Sequence, residues 1–142
     1  MSHPDHLEIV LRLGAAILAG ALIGLERQWN KHTAGVRTHA LVALGAALFV
    51  LFAPLARTPQ EAPRMAAQVI TGIGFLGAGV LMRTGLTVHG LNNTAATVWC
   101  TAALGVLCAA ADYWSVLLGT GAVLLVNLVL EVGPNFVRRL KP

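Results

Sequence analysis

Residues 66–82 read AAQVITGIGFLGAGVLM, an uncharged apolar run with glycine at positions 72, 74, 77 and 79. The polar residues 90–94 separate it from a second apolar stretch, TAATVWCTAALGVLCAAA. Each run is close to the minimum of about 17 residues that carries a helix across a hydrocarbon core. Soluble domains rarely hold two such runs in succession. The chain therefore reads as a membrane protein, with polar side chains few enough to be weighed singly.

Composition supports this. Of 142 residues, 56% are hydrophobic and only 11% charged, and the mean hydropathy is +0.73. A soluble domain of this length needs more charge to cover its surface. The length predicts one domain, residues 1–142. The net charge of +4 does not point to nucleic acid, because the bases sit at segment ends and no basic run is interleaved with aromatics. Cys100 and Cys108 fall in one predicted helix, about 12 Å apart along its axis, too far for a disulfide. The first apolar run lacks a preceding positive charge and continues past Ala19-Gly20-Ala21, so it reads as an uncleaved helix.

Five segments are long enough to span: residues 7–25, 39–56, 66–82, 94–111 and 113–132. An open sheet is excluded, because backbone in lipid must satisfy its own hydrogen bonds. Continuous rather than alternating apolar runs argue against a barrel. The expected fold is thus an all-α bundle of about five transmembrane helices. Only Asp112 separates the last two segments, which leaves a tight hairpin or a tilted or re-entrant helix as alternatives. With the N-terminus outside, Arg27, Lys31, Arg37, Arg83, Arg138, Arg139 and Lys141 lie on the cytoplasmic side, against Arg57 and Arg64 outside. The bias predicts N-out, C-in.

In lipid, helices associate through close approach of small residues. The first helix carries Ala16, Gly20 and Gly24 at four-residue spacing. The fourth carries Thr97, Thr101, Gly105 and Ala109 in the same way, and the third holds Gly72, Gly74, Gly77 and Gly79. These three helices are expected to form the tight centre.

Few constellations carry chemistry. Residues 72–77 match G-x-G-x-x-G, but no strand precedes them and no acid follows at the required distance, so the dinucleotide reading fails. Glu8 and Arg12 form an i,i+4 pair, read as an interfacial ion pair or as ionisable groups lining a pathway. Polar residues gather at Glu26, Arg27, Arg37, Thr38 and Gln68, with Gln68 expected on the opposite side of the membrane from Glu26. Asn92, Asn93 and Thr94 precede the fourth helix, where they can cap it or offer oxygens to a cation. No closely spaced His/Cys set, nucleophile–base pair or phosphate loop is present. The sequence gives no sign of an enzyme.

With those residues in view, the chain resembles the MgtC/SapB family of bacterial inner-membrane proteins. The matching blocks are GALIGLERQW, AGVRTHALVALGAALFVL, QVITGIGFLGAGVLMRTGLTVHGLN and TAATVWCTAALGVLC. The resemblance implies a multi-pass inner-membrane domain of five helices, linked to growth under magnesium limitation, survival of pathogens in hosts, and control of membrane energetics. The positions it carries over as functional are Glu26, Arg27, Arg37, Thr38, Gln68, the third-helix glycines, Arg83, Asn92 or Asn93, Thr94 and Cys100. The family spacing has one residue where this chain has both Asn92 and Asn93. Many members continue into a cytoplasmic C-terminal domain, whereas this sequence ends at Pro142.

The resulting expectation is a non-enzymatic regulatory protein in contact with membrane lipid. It would work through a homodimer and through contacts with complexes such as the ATP synthase or a P-type magnesium ATPase. It would need no cofactor, with a role for Mg2+ left open. The alternative is a magnesium or other cation channel or carrier resting on Glu26, the Asn92–Asn93 turn and the glycine-rich helix.

Overall fold

The computed structural model describes residues 5–52, 61–82 and 93–139, with side chains described for 5–51, 62–79 and 93–129. Every regular element among them is an α-helix: α1 His6–Trp29, α2 Val36–Phe52, α3 Glu61–Met82, α4 Asn93–Ala109 and α5 Tyr113–Arg139. The all-α class and the five segments match the sequence expectation. Of these, α1 is long and apolar enough to cross a membrane by length and composition, while α2 and α4 are shorter apolar helices of 17 residues each. α3 begins five residues before the expected boundary, with Pro63 in its first turn, where a missing N–H is harmless.

Two helix ends are set by the same local device. At the end of α1, Lys31 adopts φ 59°. The His32 N–H reaches the Arg27 carbonyl at 3.0 Å and the Lys31 N–H reaches Gln28 at 3.1 Å. At the end of α4, Ala111 adopts φ 58°; the Asp112 N–H bonds Leu107 at 3.2 Å and the Ala111 N–H bonds Cys108 at 3.0 Å. Both are left-handed caps that satisfy the last carbonyls of a helix. Asp112 then starts α5 directly, its Oδ1 accepting the Ser115 N–H at 3.1 Å. One residue thus closes one helix and opens the next, and residues 110–112 form the tight hairpin that was one of the alternatives.

The expected centre of α1, α3 and α4 is corrected in one member: α2 takes the place of α3 and packs most extensively on α1 and α4, while α4 meets every other helix. A Cβ on Gly20 would lie 2.5 Å from the His39 carbonyl oxygen, and one on Gly24 would lie 2.5 Å from the Val36 Cα. From the other side, a Cβ on Gly105 would run into the Ala43 carbonyl. Glycine at these three positions lets two helices press against α2 backbone to backbone. The buried core is accordingly built of small side chains, among them Ala16, Ala43, Ala47 and Cys108. α3 is different. A Cβ at Gly72, Gly74 or Gly79 meets nothing within 4 Å, and one at Gly77 meets only Ala95 at 3.8 Å. Glycine content alone marks permission for close approach, and α3 does not use that permission within one chain.

Candidate functional site

The α1 helix ends in a polar turn whose two acid–base neighbours point to different places. Glu26 is half-buried, and its Oε2 accepts a hydrogen bond from Asn127 Nδ2 of α5 at 2.9 Å. Its Oε1 accepts from Asn30 Nδ2 at 2.8 Å. Arg27, one residue on and about 100° around the helix, is fully buried.

The helices also enclose a polar seam. His39 of α2 is fully buried, and its ring Nδ1 lies 2.9 Å from Thr101 Oγ1 of α4. Thr101 donates its hydroxyl proton to the Thr97 carbonyl at 2.8 Å, and Thr97 donates to the Asn93 carbonyl at 2.8 Å. The Thr101 oxygen is therefore left to accept, which assigns the proton in this contact to His39 Nδ1. Thr94, Thr97 and Thr101 are all buried on one side of α4. Buried polar groups of this kind fix helix register, because a shifted helix leaves them unsatisfied.

The polar residues singled out in the sequence are not gathered into one cluster. Glu26 is engaged by α5, and Arg27 is fully buried. Arg37, Thr38 and Gln68 are exposed and line a separate groove of about 710 Å3 between α2 and α3. Asn93 is the exposed first residue of α4. Asn92 and Arg83 lie outside the described residues. Cys100 is half-buried and Cys108 fully buried, both as free thiols. Among the described residues, no group of three or more His, Cys, Asp or Glu side chains is placed to hold a metal ion.

Sequence reasoning missed Asn127 and the seam around His39. Asn127 did leave a signal, as a lone amide inside the apolar run VLLVNLVL. His39 opens the second apolar segment, where a polar residue carries no signal beyond that of a boundary. At the other end of α1, Arg12 pairs with Glu8 and also donates to the Ala109 carbonyl of α4. That fits a structural tie, since a cation at a helix C-terminus satisfies an orphan carbonyl and opposes the helix dipole.

Apolar helices packed on glycine around a buried polar seam define the class: an all-α bundle with large apolar side chains on its exterior. The model of the MgtC family matches residues 13–135, and the chain belongs to that family. It is 50% identical over 131 residues to Protein MgtC of Salmonella typhimurium strain LT2, covering 92% of this chain and 56% of that protein. It is 49% identical over 119 residues to Protein MgtC of Brucella abortus strain 2308, covering 84% and 50%. An uncharacterized protein of Synechocystis is 46% identical over 130 residues, covering 92% and 55%. The chain thus spans about half the length of the curated relatives it matches. No solved structure matches it.

Proposed function

We propose that this chain is a multi-pass protein of the bacterial inner membrane, N-out and C-in, that regulates other membrane complexes and supports growth under magnesium limitation and in hosts. The carrying observation is the outward face. Leu18, Leu22, Phe75, Leu117 and Leu118 are each more than half exposed, whereas Arg27, His39 and four threonines are buried. Soluble monomers rarely leave so much contiguous apolar surface bare. A bilayer covers it.

A regulator that works by contact needs a face for its partner. On α3, Ala67, Thr71, Gly74 and Ala78 share one side, all exposed and all small. Such a row permits close approach of another helix, which supports a homodimer or a contact with the ATP synthase or a P-type magnesium ATPase. The cation-channel alternative has less to rest on. Both carboxylate oxygens of Glu26 already accept amide protons, and the α2–α3 groove is almost wholly apolar.

Deletion of the gene should impair growth in low-magnesium medium and plasmid copies should restore it. Unchanged growth of the deletion strain removes the regulatory reading. Magnesium or proton flux through purified protein in liposomes, reduced by Glu26→Gln, would instead favour the channel.

A further inference from the structure

The groove between α2 and α3 has a shape and a polarity that the regulatory reading does not use. Its α2 wall runs from Arg37 to Phe49, about 18 Å at 1.5 Å per residue. That is the form of an extended chain rather than of a compact metabolite. The walls are hydrocarbon, supplied by Leu41, Phe49 and Ile73 among others, and Arg37 is the single ionisable residue among those described in the lining. Arg37 and Thr38 sit in the first turn of α2, where N–H groups without intrahelical partners and the positive end of the helix dipole favour an anion.

Two glycines keep the groove open. A Cβ on Gly45 or on Gly72 meets nothing within 4 Å. These glycines do not serve close helix contact, as Gly20 and Gly105 do. They leave room along the walls. Arg37, Leu41, Phe49 and Gln68 are all exposed, so an occupant enters from the side rather than through the bundle.

We propose that this groove seats one acyl chain of an anionic phospholipid, with the headgroup phosphate held by Arg37, Thr38 and the first turn of α2. The inference rests on the bilayer reading above. Basic pockets between membrane helices on the cytoplasmic side recognise anionic headgroups in this way, and Arg37 falls on that side in the N-out orientation. A neutral apolar ligand would leave the Arg37 end unused. A soluble phosphate would leave the hydrocarbon walls unused.

Native mass spectrometry of the full chain in detergent tests this, with phosphatidylglycerol and phosphatidylcholine of identical acyl chains offered in competition. Phosphatidylglycerol should be retained in preference. Arg37→Gln should weaken its retention about fivefold, while Arg37→Lys keeps the preference. Gly45→Leu and Gly72→Leu should displace the lipid without lowering the thermal midpoint, because both side chains have space to enter. Equal retention of the two lipids, or a preference unaffected by Arg37→Gln, overturns the proposal. So does a change in the number of chains per assembly in the leucine variants with lipid retention unaltered, which would make the groove a subunit interface. Partition of the wild-type chain into water without detergent would overturn the bilayer reading itself. Loss of lipid preference in a chain that still requires detergent removes only the lipid site.

Discussion

Asn127 of α5 donates its side-chain amide to Glu26 of α1 at 2.9 Å, joining residues 101 positions apart in the chain. Asn127 is nearly fully buried, and the bond is charge-assisted, which makes it stronger than a neutral pair. It anchors the last helix to the polar end of the first. Asn127→Leu should destabilise the fold by about 1.5–3 kcal/mol, the range for a hydrogen bond to a charged group. A double-mutant cycle with Glu26→Gln, read from denaturant unfolding in detergent, should give a clear coupling energy. Strictly additive effects would mean that the contact contributes nothing.

The glycines of α1 and α4 should be intolerant, and those of α3 tolerant. Gly20→Ala and Gly105→Ala place a Cβ against α2 backbone and should cost about 1–3 kcal/mol, as overpacking does. Gly74→Ala and Gly79→Ala have free space and should stabilise α3 by up to about 1 kcal/mol through helix propensity. Thermal unfolding of the four variants separates the two groups. Equal losses in all four would contradict the close packing of α1 and α4 on α2.

Ala111 holds φ 58°, a conformation that costs an L-residue about 1 kcal/mol and glycine far less. Ala111→Gly should raise the thermal midpoint, and Lys31→Gly should act in the same direction at the end of α1. A lower midpoint in both would show that the left-handed caps are not formed.

Asp112 gives a pH dependence of known sign. Hydrogen bonds from Ser115 hold its carboxyl below the usual aspartate range. A carboxylate favoured by the fold stabilises it fully above the unfolded value of about 3.9, and that stability is lost as pH falls through the lower folded value. The unfolding midpoint should therefore drop as the medium is acidified below about pH 4. Asp112→Asn should remove that part of the dependence and lower the midpoint at neutral pH. An acid profile identical to wild type would rule out the α5 cap as its source.

Arg12 ties the far end of α1 to α4 by donating to the Ala109 carbonyl as well as pairing with Glu8. Arg12→Gln should cost more than Glu8→Gln. The exposed half of an ion pair is worth at most about 1 kcal/mol, whereas the buried carbonyl loses its donor. Comparable losses in the two variants would reduce Arg12 to a surface pair.

Much of this was legible in the sequence. Hydropathy and run length are local properties, and they gave five helical segments with the hairpin at Asp112 marked by the break in apolar residues. The four-residue spacing of Gly20 and Gly24 put both on one face, because that is a property of one helix. Which helix those glycines meet is not. The run richest in glycine, α3, presents its small residues outward, and α2, with less conspicuous alanines, takes its place between α1 and α4. Likewise Glu26 and Arg27 are neighbours in the chain, yet one is bonded to α5 and the other is fully buried. Partner choice depends on how five surfaces fit together at once, and no sequence offset encodes the fit between residues 26 and 127 or 39 and 101. The sequence determined the helices and the faces that could touch; the tertiary structure alone decided which faces do, because contact between distant segments is a property of the packed whole.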